Sequence, residues 1–183
     1  MNKWGLPESA EFGGVEYAIN SDFRDILEII SILQDEERPQ MIRPILALEL
    51  FYEDFSSIPA KYHQEAAEWM VGFIGLFEED DGKPRPKQID WDQDWNMIVS
   101  EVNKVAKMEV RATEHLHWWT FIGYFNAVGE GQLSFVVSIR DKLRKGKKLE
   151  KYERDFYRQN RSTVEFKKKI TTKEQKLLDE WLK

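Results

Sequence analysis

The sequence predicts a mainly α-helical protein, a compact bundle of about six to eight helices with a small N-terminal β-hairpin. Most of the chain carries apolar residues at the three-and-four spacing of one helix face. Residues 9–19 form two short extended runs around Gly13-Gly14, and glycine accepts the positive φ angles of a tight hairpin turn. The chain has 183 residues, 42% of them hydrophobic, which is enough for a buried core. We therefore expect a helical domain over residues 1–161 and an extension with a short helix over residues 162–183.

Capping residues and prolines predict where the helices begin. Asn20 or Ser21 is expected to cap the first helix. Pro59 suits the first turn of the third helix, and Thr113 is expected to cap the fifth. The second helix, within residues 45–55, is apolar on nearly all sides and is expected to be central. The apolar positions that indicate the other helices are Phe23, Ile26, Leu27, Ile30 and Leu33 in the first, Ala66, Trp69, Met70, Phe73, Ile74 and Phe77 in the third, Trp95, Ile98, Val99, Val102, Val105 and Ala106 in the fourth, Trp118, Phe121, Ile122 and Phe125 in the fifth, and Leu133, Val136, Val137 and Leu143 in the sixth.

Three further segments complete the pattern. Residues 78–88, EEDDGKPRPKQ, contain no apolar residue to offset their ordering entropy, so we expect a mobile loop over residues 78–90. Another helix is expected from about residue 149 to residue 159. The tail opens with a capping box, Thr171-x-x-Glu174, before a short helix. The apolar side chains of that helix are Leu177, Leu178, Trp181 and Leu182.

The net charge of −6 is distributed unevenly along the chain. Residues 1–139 hold 11 basic and 25 acidic side chains, residues 140–169 hold 13 and 5, and the remainder holds 3 of each. Three interpretations of the basic stretch at residues 139–161 stay open: a solvated helix paired with the protein's own acidic face, a surface for an acidic protein partner, and a nucleic-acid surface. The first is favoured, and nucleic acid is the least expected.

No pattern of catalytic or metal-binding residues stands out. Three aspartates within residues 90–94 imitate the start of a calcium loop, but Trp95 stands where such a loop needs glycine. The side chains of His115 and His117 would point about 200° apart on a helix, so we do not expect them to coordinate the same metal ion. The chain has no cysteine for a thiolate zinc site or a nucleophile. We therefore expect no metal, no cofactor and no enzyme activity.

The lack of cysteine and of long apolar segments also indicates where in the cell the protein is found. No disulfide framework is available, which favours an intracellular protein. The N-terminus lacks an apolar leader, and no stretch approaches the length of a membrane span. We expect neither export nor membrane insertion.

Five segments, taken in order, resemble a known phage family. They are GVEYAINSDFRDILEI, ILALELFYED, IDWDQDWNMIVSEVNKV, LHWWTFIGYFNAV and IRDKLRKGKKLEKYERDFYRQNR. Together they resemble the bacteriophage gene-product-fifteen family of siphophages and prophages of Gram-positive bacteria, over about residues 15–161. The most distinctive pieces are Asn20–Arg24 and Leu116–Trp119.

The resemblance implies a tail-assembly chaperone, a non-enzymatic helper encoded near the tape-measure gene. Such a helper keeps the long helical tape-measure protein soluble in the cytoplasm of the bacterial host while tail tube subunits assemble. Its partners would be the tape-measure protein, the tail tube or a co-chaperone, and a homo-oligomer is compatible with this role. A chaperone for an amphipathic helical client needs apolar grooves or an aromatic surface and no reactive group. The residues expected to bind the partner are Trp118, Trp119, Phe121, Phe125, Arg140, Arg144, Lys147, Lys148, Arg154 and Arg158. Of the two tryptophans, Trp119 is the better surface candidate because it lies off the main apolar stripe.

Two other functions stay open. A minor structural subunit of the tail or connector would oligomerise through complementary acidic and basic faces and remain in the virion. A nucleic-acid-binding regulator would use the basic residues 140–169, which would then have to be free of acidic neighbours.

Overall fold

The computed structural model describes residues 5–78 and 86–167, together with Trp181. The described part contains one two-stranded antiparallel sheet and eight α-helices, so the predicted mainly α-helical fold with an N-terminal hairpin is confirmed. The elements are β1 (Ser9–Phe12), β2 (Val15–Ala18), α1 (Phe23–Gln34), α2 (Arg43–Phe51), α3 (His63–Ile74), α4 (Trp95–Ala106), α5 (Trp118–Asn126), α6 (Gln132–Arg144), α7 (Lys151–Gln159) and α8 (Arg161–Val164), with 3₁₀ turns at Phe55–Ser57, Ala60–Tyr62 and Val110–Ala112.

The hairpin turns where the glycine pair predicted it. Phe12 is paired with Val15, so the loop between the strands has two residues. Gly13 and Gly14 have φ angles of 61° and 82°, the left-handed values that a two-residue hairpin loop of this kind requires. Phe12 is 1% exposed and anchors one face of the hairpin in the core.

Contacts between residues divide the chain into two compact units. Unit 1 is Met1–Lys83 with Thr113–Gly123, and unit 2 is Pro84–Ala112 with Tyr124–Lys183. Helical periodicity does not reveal this partition, because each unit combines segments that are distant in sequence. The prediction of a boundary at residue 161 stays a prediction, since most of the chain after it lies outside the described residues.

Each unit has its own buried apolar side chains. Removing such side chains from water is the main favourable contribution to folding. In unit 1 they include Phe12, Ile19, Phe23, Ile26, Ile29, Ala47, Leu48, Phe51, Tyr52, Ala66, Met70, Phe73, Trp118 and Phe121, and in unit 2 Ile98, Val99, Val102, Val110, Leu133, Val136, Ile139, Leu149 and Val164. Most of these residues lie on the predicted helix faces.

The first helix is capped by a different residue from those predicted. Asp22 is the cap, and its carboxylate accepts the backbone N–H of Arg24 at 2.9 Å. The two predicted caps are engaged elsewhere, since the Asn20 amide donates to the carbonyl of Leu50 and the Ser21 hydroxyl lies 3.2 Å from Nε2 of His115. The prediction of Asn20 or Ser21 was therefore wrong by one or two residues.

Two other predicted helix starts were also wrong. Pro59 precedes the 3₁₀ turn at Ala60–Tyr62, and α3 begins only at His63. Thr113 follows a different 3₁₀ turn and does not cap α5, which begins at Trp118. The residues just before α5 instead contact the start of α1, as described below.

Several predicted segments fall partly outside the described residues. Residues 79–85 of the predicted loop and the capping box of the tail are among them, as are Leu177, Leu178 and Leu182. The side chain of Trp181 is 87% exposed.

Candidate partner-binding surfaces

The two most distinctive sequence pieces, Asn20–Arg24 and Leu116–Trp119, pair with each other inside unit 1. The backbone N–H of Phe23 donates to the carbonyl of Leu116 at 3.0 Å, and that of Trp118 donates to the carbonyl of Ser21 at 2.7 Å. These bonds form an isolated antiparallel bridge immediately before α1 and α5. We call this pairing the junction. Its role is structural, because it ties the starts of the two helices together.

Asp22 supports the junction through both carboxylate oxygens. Oδ1 caps α1, and Oδ2 accepts the backbone N–H of Leu116 at 2.8 Å. The Arg24 guanidinium donates to both oxygens, at 2.7 and 3.0 Å, and also to the carbonyls of Thr113 and Glu114. Burial by itself raises the pKa of Asp22, but the hydrogen bonds from Arg24 and Leu116 outweigh it and hold the pKa below its ordinary value.

His117 caps α5 with its imidazole ring. Nδ1 accepts the backbone N–H of Trp119 at 3.1 Å, so Nε2 carries the proton and donates to the carbonyl of Pro7 at 2.9 Å. Burial of the ring lowers the pKa of His117, and the nearby His115 adds to this effect against the opposing contributions of Pro7 and Glu8. The folded protein therefore favours the neutral form of the His117 ring.

This lowered pKa predicts that acid weakens unit 1 in a defined pH range. Above the ordinary pKa of 6.5 the ring is neutral in both folded and unfolded chains, and the full stability is present. As the pH falls below 6.5, the unfolded chain binds the proton first, so stability decreases by at most about 1.4 kcal/mol per pH unit. Urea unfolding at pH 7.5 and 5.5 measures this loss. A His117→Asn variant should show a smaller loss over the same range, and an equal loss in both proteins would contradict the assignment.

The aromatic side chains that were predicted to bind a partner mostly pack inside the protein. Trp118 is 2% exposed and Phe121 is fully buried, stacking on Phe23 with ring centroids 4.5 Å apart. The indole N–H groups of Trp118 and Trp119 donate to the carbonyls of Ile74 and Phe73, which lie at the end of α3. Trp118 and Phe121 therefore offer no surface to a partner in this conformation, because their faces are used within unit 1.

Trp119 and Phe125 are half-buried. Trp119 stacks on Phe73 with a centroid distance of 5.6 Å, and within unit 2 Phe125 packs against Trp91 at 5.1 Å. Each keeps part of its ring in contact with solvent, so these two residues are the remaining aromatic candidates.

Arg140 was predicted to bind a partner, but the structure uses all five of its N–H donors internally. Nη1 and Nη2 donate to the two carboxylate oxygens of Asp94, at 2.6 and 2.8 Å. The remaining donors reach the carbonyls of Gln88, Thr163 and Val164. Arg140 is 6% exposed and Asp94 is 0% exposed, so this is a buried, bidentate ion pair. It ties α6 to the segments before α4 and around α8, and leaves Arg140 no donor for a partner.

The other predicted basic residues lie at the surface of unit 2. Arg144 pairs with Asp141 at 2.7 Å, and Arg158 pairs with Asp155 at 3.1 Å. Lys147, Lys148 and Arg154 are exposed and make no ion pair with any residue that the structure describes. Of the predicted cations, these three are the most available to a partner.

An exposed apolar cluster, missed from the sequence, lies at the start of α2. Met41 is 85% exposed, Ile42 is 46% exposed and Ile45 is 50% exposed. We call these three residues the α2 apolar cluster. The sequence signal was present in the run MIRPI, but residues 45–55 were expected to be buried on several sides, whereas only the later turns of α2 are buried.

A comparison with protein-family models identifies the family. The model described as Bacteriophage Gp15 protein matches residues 4–166. The chain belongs to the bacteriophage Gp15 family. No curated protein and no solved structure matches it. The match includes both sides of the junction, so the two pieces that tie together the starts of α1 and α5 in unit 1 belong to the matched region.

Two of the three aspartates that imitate a calcium loop have structural partners for their carboxylates in this Gp15-family protein. Asp90 accepts backbone N–H groups of Asp92 and Gln93 and the side chain of Lys87, while Asp94 pairs with Arg140. Burial alone raises the pKa of Asp90, but these hydrogen bonds hold it below its ordinary value. Across residues 5–78 and 86–167 no group of three or more His, Asp or Glu side chains could hold a metal ion.

The described helices of this phage protein include none that is both long and apolar enough to cross a membrane.

Proposed function

We propose that this Gp15-family protein is a non-enzymatic chaperone of phage tail assembly, which binds the helical tape-measure protein in the cytoplasm of the bacterial host. The observation that carries the proposal is the α2 apolar cluster, on a chain that belongs to a phage family. A chaperone for an amphipathic client needs exposed apolar groups and no reactive side chain. The predicted site at Trp118 and Phe121 does not meet this requirement, because both side chains are buried.

The α2 apolar cluster suits the apolar face of a helix. Ile45 lies in the first turn of α2, and Met41 and Ile42 directly precede the first helical residue, so the three exposed side chains lie together at the start of this helix. Arg43 and Pro44 lie between them. Proline in the first turn costs no hydrogen bond there and keeps the start of α2 well defined. The cluster therefore lies at the well-defined start of a helix of unit 1, where a client helix can pack against it.

The proposal is tested by co-expressing the protein with the tape-measure protein of the same phage. The wild type should increase the soluble fraction of the tape measure and be captured with it. A triple variant, Met41→Ser, Ile42→Ser and Ile45→Ser, should bind the tape measure at least about tenfold more weakly, because each side chain buried at an interface contributes about 1.5–3 kcal/mol.

The matched control replaces three apolar side chains of similar exposure in the same unit. Leu6, Val15 and Val71 are 51%, 51% and 60% exposed, and their replacement by serine should leave binding unchanged. No complex with the wild type, or equal losses in both triple variants, would contradict the proposal.

The structural alternative is a minor tail or connector subunit, favoured by the uneven charge of the chain. Mass spectrometry of purified phage particles distinguishes the two functions. A chaperone should be absent from mature particles, whereas a structural subunit should be present in stoichiometric copies.

A further inference from the structure

Four cations at the beginning of α7 have no acidic partner. They are Lys147, Lys148, Lys151 and Arg154, which we call the basic surface. All four are exposed, and none makes an ion pair with any residue in the described parts of the chain. Glu150 lies among them, and its backbone N–H donates to the carboxylate of Glu153 at 2.8 Å.

The other acidic groups nearby are already engaged. Four of the five acidic side chains between residues 140 and 169 pair with local cations. These pairs are Asp141 with Arg144 and Lys145, Glu153 with Lys142, Asp155 with Arg158, and Glu165 with Arg161. The four cations of the basic surface are therefore not neutralised by these local ion pairs, and they lie within eight consecutive residues.

The hairpin of unit 1 presents the opposite charge. Glu11 and Glu16 face each other directly across the two strands, a placement in which like charges repel. Glu8 precedes the first strand, and we call these three residues the acidic hairpin surface. All three are exposed and make no ion pair with a described residue. They line a cleft of about 440 Å³ together with Trp69.

The charges of the whole units follow the same division. Unit 1 holds 6 basic and 19 acidic side chains, a net charge of −13, and unit 2 holds 21 and 14, a net charge of +7. A surface on one unit is therefore complementary in sign to the other unit of a second molecule.

We propose that the basic surface of one copy docks on the acidic hairpin surface of a second copy of this chain. Cations from the second copy relieve the repulsion between Glu11 and Glu16, and the cleft beside Trp69 accommodates their long side chains. Because two different surfaces meet, the contact is head-to-tail, and successive copies form a ring or an open chain. This inference does not depend on the proposed client, since the α2 apolar cluster takes no part in it.

Sedimentation velocity of the full-length protein alone, at 50 and 500 mM NaCl, tests the contact. Exposed charge pairs are strongly screened at the higher salt concentration, so we expect association at 50 mM and an apparent Kd about tenfold or more higher at 500 mM. A protein that stays monomeric at 50 mM over the whole accessible concentration range would overturn the proposal.

A charge-reversal exchange tests the surfaces themselves. One variant carries Lys147→Glu, Lys148→Glu, Lys151→Glu and Arg154→Glu, and the other carries Glu8→Lys, Glu11→Lys and Glu16→Lys. Each variant alone should lose self-association, because its two surfaces then have the same sign. An equimolar mixture should associate again, since each surface of one variant meets an opposite charge on the other. Failure of the mixture to associate would overturn the pairing.

Two controls separate this contact from general charge effects and from nucleic-acid binding. A Glu28→Lys, Glu36→Lys and Glu53→Lys variant changes the net charge by the same amount as the hairpin variant, but at exposed positions outside the hairpin. It should still self-associate. A DNA oligonucleotide added to the wild type should not bind. DNA binding that depends on the basic surface, in a protein that does not self-associate, would assign the surface to nucleic acid and overturn the proposal.

Discussion

Replacement of Arg140 by methionine is expected to destabilise the protein by about 3–5 kcal/mol, the typical cost of removing one partner of a buried ion pair. The Asp94 carboxylate is 0% exposed and would be left buried without its guanidinium partner. Three backbone carbonyls, those of Gln88, Thr163 and Val164, would lose their donor as well. Urea unfolding followed by circular dichroism measures the change in the free energy of unfolding.

Two further variants locate the cause of this loss. Arg140→Met combined with Asp94→Asn should be more stable than Arg140→Met alone, because the amide leaves no buried unpaired charge. Arg144→Met removes an exposed arginine from the same helix and should cost less than about 1 kcal/mol. A cost below about 1 kcal/mol for Arg140→Met would show that the ion pair does not stabilise unit 2.

Replacement of Asp22 by alanine is expected to cost about 2–4 kcal/mol. Loss of the cap of α1 contributes about 1 kcal/mol, and the buried N–H of Leu116, left without an acceptor, contributes about 1–3 kcal/mol. Arg24 loses the carboxylate that orients it toward the carbonyls of Thr113 and Glu114. Thermal unfolding and urea unfolding of the variant measure the effect.

Asp25 provides the matched control for the junction. It lies in the first turn of the same helix, and burial, aided by the nearby charges of Asp22 and Glu28, raises the pKa of its carboxyl. Asp25→Asn should therefore be close to neutral or slightly stabilising. If Asp25→Asn and Asp22→Ala destabilised the protein equally, the junction would not be the reason.

The pKa of Asp22 adds a pH signature. Its folded value lies below the ordinary 3.8, so its contribution to stability is fully present above pH 3.8 and is lost as the pH falls through the folded value. The difference in stability between the wild type and Asp22→Ala should accordingly shrink in strong acid.

The order and type of the elements follow from the sequence for a clear physical reason. Hairpin geometry depends on adjacent residues, and the glycine pair at Gly13-Gly14 specifies it locally. Helical faces repeat every three or four residues, so most buried positions of α1, α3 and α4 were predicted from periodicity, although buried Ile29 and Glu101 were not among them. The family resemblance likewise depends on short segments, and the family match over residues 4–166 confirms it.

The candidate site could be predicted only in part. Periodicity places Arg140 seven residues after Leu133 and four after Val136, on the apolar face of α6, and this was the signal that it is internal. Its partner Asp94 lies 46 residues away, and no local pattern links the two. The availability of Lys147, Lys148 and Arg154 likewise depends on which acidic groups have already been paired.

The sequence by itself therefore determined a mainly helical phage protein of the Gp15 family, with an acidic larger part and a basic segment. The tertiary structure decided which of its charges and aromatic rings remain available. It turned Trp118, Phe121 and Arg140 inward, kept Met41 and the basic surface exposed, and used Asp22 to connect two helix starts. The reason is that helical periodicity records contacts between near neighbours, whereas burial and ion pairing are settled by groups brought together from distant parts of the chain.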